Sequence, residues 1–301
     1  MNDTDLLPFG ASRCDKSRGP SNDEHMPMKR QLAALLVLLA GSAAAEAQER
    51  FGKTELDPVF DATIAISGSL GQAWTDSTLR LDASDGTRGT SLDGERDLGL
   101  DANETTGRME VTLRPRPRHR VRLGLNYLPS DRSASKAAIE DIFFGDNIYA
   151  AGDEVRSKLQ IRTWSATYGY SFLRNPRAEV AASVGVTSVD LVAEVGVPAR
   201  ALKETEERSF PAPQFGLEAA VKFAERWYGE ARYQYVRINA SNASGELSQL
   251  DAAVVFQFDH NIGAGLAYVQ IDGDVKNEQF GDSGRLAYSN RGPQLFLRVS
   301  F

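Results

Sequence analysis

The sequence predicts an all-β fold: a transmembrane, antiparallel, up-and-down β-barrel of about ten strands. Short turns close it at one end and long loops at the other. Three observations carry this reading. Beyond residue 48, runs of alternating apolar and polar residues stand where a helical period would otherwise be sought, and such runs are strands with an oily face and a wet face. Very short connections alternate strictly with long polar ones, the habit of barrels that cross an outer membrane. In the closing stretch Gln294-Leu295-Phe296-Leu297-Arg298-Val299-Ser300-Phe301, Leu295, Leu297, Val299 and Phe301 share one side.

The first residues read differently. Lys29 and Arg30 precede a short apolar stretch, Leu32 to Ala40, and Ala45-Glu46-Ala47 is an A-x-A cleavage pattern. Residues 26–47 are therefore expected to be a signal peptide, with the mature chain starting at Gln48. The apolar run is shorter than the roughly 18 residues of a membrane helix. Residues 1–25 are polar and precede better starts at Met26 or Met28, so they are expected to be an over-extended translation start, disordered and outside any domain. Cys14, the single cysteine, lies there, which leaves the exported part without a disulfide. Ser42 occupies the place where a lipidated cysteine would stand. Residues 48–301 are expected to form one barrel domain.

Within that domain four short connections stand out: 114–119, 173–177, 224–226 and 259–261. Between them lie long polar stretches at 75–106, 133–156, 198–210, 239–245 and 273–283. The intervening strands are expected at 59–74, 107–114, 119–132, 157–172, 178–192, 211–223, 227–238, 246–258, 261–272 and 284–301. Ten is even and brings both ends of the barrel to one side of the membrane; eight or twelve would follow from a different parsing of the first or last long loop.

Each strand shows its faces. Phe60, Ala62, Ile64, Ile66 and Leu70 oppose Asp61, Thr63, Ser67 and Ser69. Val121, Leu123, Leu125 and Tyr127 oppose Arg120, Arg122 and Asn126. Trp164, Ala166, Tyr168, Tyr170 and Phe172 oppose Thr163, Ser165, Thr167 and Ser171. Phe215, Leu217, Ala219, Val221 and Phe223 oppose Glu218 and Lys222, and Leu250, Ala252, Val254, Phe256 and Phe258 oppose Asp251 and Gln257. Near the short turns the oily residues are aromatic (Phe172, Phe223, Trp227, Phe258, Phe301), with Tyr127, Trp164 and Tyr235 at the opposite level. Rings at two levels form the girdles of a membrane barrel.

A soluble sandwich or lipocalin-like barrel also alternates, with its apolar face inward. Here the polar face carries Glu110, Arg120, Arg122, Glu179, Glu218, Lys222, Glu230, Arg232, Asp251 and Arg298. The signal peptide and the aromatic levels favour the inverse sidedness: lipid outside, charge inside.

Two segments carry a resemblance. Gly292 followed by Leu295, Leu297, Val299 and Phe301 resembles the C-terminal assembly signal of bacterial outer-membrane proteins. Gly89-Thr90-Ser91-Leu92-Asp93, followed by Asp97-Leu98-Gly99-Leu100, is similar to uncharacterised barrels grouped with the small OmpA/OmpW-like proteins. The resemblance covers roughly residues 60–301. It implies a Gram-negative outer-membrane location, recognition by the barrel-assembly machinery, and a passive or small-molecule-handling barrel with no catalytic residues to carry over.

Chemistry is sparse. The formal charge of −7 and a pI near 5.2 argue against nucleic acid as a partner. After residue 48 the only histidines, His119 and His260, fall at short turns, away from the outer rim where a serine or carboxylate hydrolase of this architecture would need one. No Cys/His cluster suggests a transition metal, and no cofactor is implied. An enzyme using carboxylates alone is the third reading. Loop one bears Asp82, Asp85, Asp93, Glu95, Asp97, Asp101 and Glu104, a solvated face or, alternatively, a divalent-cation contact at the lipopolysaccharide surface. Loop two bears Ile139, Ile142, Phe143 and Phe144, read as a strand extending above the membrane or as an entry for a hydrophobic solute. Five acids and five bases in a narrow tube should pair across it. The expected function is structural, or passive passage of a small solute through a largely salt-bridged, porin-like lumen. The alternative is a surface adhesin or ligand-binding barrel acting through its outer loops.

Overall fold

The computed structural model describes residues 57, 59–127, 132–200, 202–239, 243–279 and 282–301. The expectations for residues 1–25 and the signal peptide 26–47 lie outside the described residues. The strands are β1 (Ile64–Leu81), β2 (Leu92–Asp93), β3 (Asn103–Arg116), β4 (His119–Tyr127), β5 (Arg132–Ala137), β6 (Ile142–Phe144) and β7 (Asn147–Tyr149). They continue with β8 (Glu154–Asn175), β9 (Ala178–Val197), β10 (Leu202–Ala224), β11 (Trp227–Asn239), β12 (Ala243–Gln257), β13 (Ile262–Gln279) and β14 (Asp282–Ser300). Among the described residues the only helical piece is the turn Pro198–Arg200.

Ten of these strands make the wall, in the order β1-β3-β4-β8-β9-β10-β11-β12-β13-β14, and β14 pairs back onto β1. That seam runs from Ala65 opposite Ser300 to Leu81 opposite Gly284, so the sheet has no open edge. Every wall strand is antiparallel to its neighbours. β5 continues the β4 position by pairing with the upper part of β8. β2 pairs with β1 inside loop one, and β6 and β7 form a separate hairpin in loop two.

The four tight turns gather at one end. Proline and Asx chemistry sets three of them: Pro115 and Pro117 lie in the first, the Asn175 side chain accepts from the N–H groups of Arg177 and Ala178, and Asp259 accepts from those of Asn261 and Ile262, as such residues do in turns. At the other end the wall rises well past the expected strand limits. Stretches 198–210 and 273–283, expected as loops, are largely strand: β10 begins at Leu202 and β13 runs to Gln279. The cause is chemical. High on the wall, outward polar residues such as Lys203, Thr205 and Glu207 imitate a loop, while the strand continues beneath them. Pro211 and Pro213, which lack the N–H a central strand needs, sit where β10 has parted from β11; β10–β11 pairing starts only at Gln214, while pairing with β9 continues up to Leu202.

Two further expectations change. Phe60 does not face lipid. The first strand begins at Ile64, and the preceding turn folds into the barrel mouth, with the Asp57 carboxylate accepting from the N–H groups of Val59 and Phe60. Phe60 is then buried against Tyr228, ring to ring at 5.8 Å, and Val255. β5 extends the wall into loop two, but the apolar patch beyond it does not: β6 and β7 form their own hairpin, with Ile142 and Phe144 buried while Ile139 and Phe143 face out.

Candidate functional site

Among the described residues, charged side chains converge in the lumen, which has three levels. At mid-height, inward side chains of β3, β4, β9, β10, β11 and β12 form one continuous chain of ion pairs. Arg108 meets Asp251 at 3.0 Å, Asp251 meets Arg232 at 2.9 Å, and Arg232 meets Glu110 at 2.7 Å. Glu110 continues to Arg122 at 2.9 Å and Arg122 to Glu218 at 2.6 Å. Glu218 holds Arg120 at 3.2 Å, Arg120 lies 3.9 Å from Glu179, and Arg114 closes the chain on Glu179 at 2.9 Å. Beside it Arg298 and Glu230 form a two-pronged pair at 2.5 and 2.7 Å.

Alternation causes this. Residues two apart on one strand share a face, so 108, 110, 112 and 114 on β3 all point inward, as do 120 and 122 on β4. Of the ten expected lumen charges, Glu110, Arg120, Arg122, Glu179, Glu218, Glu230, Arg232, Asp251 and Arg298 are brought together here. Lys222 also points inward but belongs lower, paired with Asp57 at 2.8 Å. Arg108 and Arg114 were missed, although the parity of Glu110 marks both. Gly169 supplies room for the belt: a Cβ there would meet Arg120 Cγ at 2.9 Å. A cavity of about 160 Å³ lies among these side chains, room for several waters.

Below the belt the mouth is stopped by Phe60 and Val59, with Tyr228 Oη donating to Asp57 at 2.9 Å and Arg174 donating to the Phe60 carbonyl at 2.7 Å. Above it the interior turns apolar. Leu79, Leu81, Val155, Leu159, Ile161, Val189, Ala193, Val195 and Val197 from the wall pack against Leu92, Leu98 and Leu100 of loop one and Ile142, Phe144 and Tyr149 of loop two. Tyr149 Oη donates to the Val195 carbonyl at 3.1 Å. Burial and the nearby Glu204 charge push its phenol up to about 12.

The acids of loop one, expected as a solvated face, divide: Asp85 and Asp101 are exposed, while Asp82, Glu95 and Glu104 are working parts of this cap. Glu95 accepts from Ser77 N–H and Oγ, both at 2.9 Å, and from Arg132; Arg132 also pairs with Glu104. Asp93 accepts from Arg96 N–H, Asp101 from Asn103 N–H and Asp85 from Thr87 N–H. Burial pushes the Asp82 carboxyl up, but bonds from Ser283 and Gly89 N–H and the Arg80 charge outweigh it and hold it below the ordinary range. Asp97 is held down mainly by its bond from Arg96. Among the described residues no group of three or more His, Cys, Asp or Glu is placed to hold a metal ion. His119 and His260 both lie at the short-turn end, His119 Nδ1 being 2.5 Å from Tyr168 Oη.

On the outside, Trp164, Phe172, Phe223, Trp227 and Phe258 are exposed. Tyr235 is partly covered and donates to Glu246 at 2.9 Å. Phe301 is half-buried, and Tyr127 is the last residue of β4, opposite Arg162. Trp74, Tyr170, Tyr233 and Tyr268 join the exposed rings; the same alternation marks them. Leu295, Leu297 and Val299 face outward on β14.

No family model matches the sequence, and no curated protein matches it. Among solved structures, the outer membrane protease OmpT from Escherichia coli superposes with a TM-score of 0.54 at 10% identity, over 79% of this chain and 96% of that one. The Ralstonia pickettii toluene transporter TbuX gives 0.35 at 10% identity, over 81% and 91%. Ail, the attachment invasion locus protein of Yersinia pestis, gives 0.30 at 10%, over 77% and 97%. At such identities the likeness to OmpT concerns the fold alone, and the two looser overlaps carry no argument. The chain has the fold of the small outer-membrane β-barrels.

Proposed function

We propose that this chain is a structural barrel of the bacterial outer membrane, exported by its signal peptide, with a lumen closed to solutes. The observation that carries the reading is the ion-pair chain from Arg108 to Arg114, which crosses the tube between a stopped mouth and an apolar cap. Location rests on the outward band. A run such as Leu250 to Phe258 rises about 20–25 Å at the usual strand tilt, the height of an outer-membrane apolar band. The exposed rings then serve as its girdles, the short turns face the periplasm, and the outward residues of β14 ending at Phe301 serve the assembly machinery. Lipid and lipopolysaccharide are its surroundings. Catalysis has no assigned residue in this reading.

Planar-bilayer recording tests it. The folded protein should give no stable conductance steps, and reproducible open steps overturn the closed lumen. A second reading has its own observation: Phe143 and Ile148, a cross-strand pair on the loop-two hairpin, are 41% and 54% exposed on a support fixed by Tyr149. A contact surface there predicts that replacing residues 142–149 with a Gly/Ser link abolishes any cell or matrix adhesion of the protein. Unchanged adhesion removes the hairpin from that role.

A further inference from the structure

We infer that the short-turn end of the barrel is a binding surface for the headgroups of anionic phospholipids, built from Arg116, Arg118, Arg177 and Arg226. The inference rests on the membrane reading above and adds a ligand class to it. These four arginines come from three successive turns, and all are exposed. Their backbones are stitched sideways to the next hairpin. Ser171 N–H donates to the Arg118 carbonyl at 2.8 Å, Lys222 N–H to that of Arg177 at 2.8 Å, and Gln257 N–H to that of Arg226 at 2.9 Å. The guanidinium groups therefore rise from a fixed arc along the rim.

Their neighbours Arg114 and Arg174 show what an internal role looks like here. Arg114 is bound to Glu179, and Arg174 to Asp61 and the Phe60 carbonyl. Among the described residues no salt bridge engages Arg116, Arg118, Arg177 or Arg226, and the one bond of these side chains is a long one, 3.4 Å, from Arg226 to the Phe258 carbonyl. Acids share this rim, but Asp57 and Asp61 are engaged by Lys222 and Arg174 in the mouth. Glu225 is exposed, and Asp259 accepts from two turn N–H groups.

Level fixes the ligand. One step up the outer wall from the arc stand the exposed rings of Tyr170, Phe172, Phe223, Trp227 and Phe258. Aromatic side chains settle at headgroup depth, so the arginines fall where the phosphodiesters of the adjoining leaflet lie. A guanidinium matches a phosphate with two parallel N–H donors. Each basic side chain at an anionic surface contributes about fivefold to binding. At the other end of the barrel exposed acids (Asp85, Glu140, Asp141 and Asp146) are interspersed with exposed bases (Arg96, Lys203, Arg237 and Lys276), so no arc of one sign forms there.

The test uses the full chain folded into nanodiscs of equal phosphatidylcholine and phosphatidylglycerol, with co-purifying lipid measured after detergent extraction by native mass spectrometry. Phosphatidylglycerol should be enriched at least tenfold, falling with added salt. The variant R116S/R118S/R177S/R226S should lose that enrichment, while K203S/R237S/K276S at the far end keeps it. Heat-modifiable gel migration checks that each variant is folded. Equal enrichment in the arginine variant overturns the proposal and leaves the membrane reading standing; failure of the native protein to insert into either lipid sinks the membrane reading itself. Loss of enrichment in millimolar inorganic phosphate, at matched ionic strength, assigns the arc to free phosphate and overturns the lipid assignment.

Discussion

The lower and upper halves of this wall are made of the same strands with opposite chemistry. On β9 the lower outward residues are Val184 and Val186, with Glu179, Ser183 and Thr187 buried inside. A few residues higher, Asp190 and Glu194 face out, while Val189, Ala193, Val195 and Val197 are buried inside. β8 reverses the same way between Trp164 and Arg162, and β10 between Phe215 and Ser209. The backbone period never changes. In the membrane reading, what changes is the solvent on each side: lipid against a polar lumen below, water against a dry core above. A period-2 pattern alone therefore reports a strand, and only the identity of the outward residues reports what bathes it.

That contrast can be broken at measurable points. The largest effect is expected in the belt. Glu218→Ala leaves Arg120 and Arg122 without a shared carboxylate and should cost about 3–5 kcal/mol in urea unfolding from lipid vesicles. A loss below about 1 kcal/mol would mean the belt behaves as a solvated surface. In the cap, Leu159→Ala should cost about 2–5 kcal/mol, and its effect should be local: faster protease cleavage and hydrogen exchange in loops one and two, with the lower wall still protected. If the whole barrel loosens together, the two halves are not separable.

The outer face sharpens the comparison next. Leu217→Arg, in the lipid band, should destabilise by about 2–4 kcal/mol, whereas Thr205→Arg on the same face of the same strand should change stability by no more than about 0.5 kcal/mol. Similar costs at both positions would erase the boundary. The smallest effects come from pH and should fall on the cap alone. Asp82 and Asp97 have folded-state values below their unfolded ones. Their stabilisation is present above about pH 4 and fades as the pH falls through the lowered values. Tyr149, raised from 10.0 to about 12, acts at the other extreme: its contribution is complete below pH 10 and is lost as the pH rises toward 12. Limited proteolysis across pH 3 to 12 should show loops one and two opening at both limits. Protection that is flat with pH contradicts these assignments.

Much of the fold was readable because alternation survives wherever one side of a strand is lipid. The ten wall strands, their outward residues and nine of the eleven belt charges follow from parity. The upper strand ends did not, because Lys203, Thr205 and Glu207 on water look like loop residues, and only the buried partners of the cap reveal that the strand continues. Arg108 and Arg114 were hidden by their position beside a loop and a turn. Phe60 fitted an outward rhythm that the chain abandons at Asp57, where a carboxylate capping two N–H groups turns it inward. Within loop two, sequence places Ile142 and Phe143 side by side; the β6–β7 pairing alone decides that one is core and the other surface.

The pairing of Arg298 with Glu230 links the last strand to one laid down much earlier in the chain. Until β14 is in place, that glutamate lacks the arginine that bonds both its oxygens, and β1 still has a bare edge. The final ribbon therefore does two things at once: it removes the last open edge of the sheet and neutralises a charge held inside it.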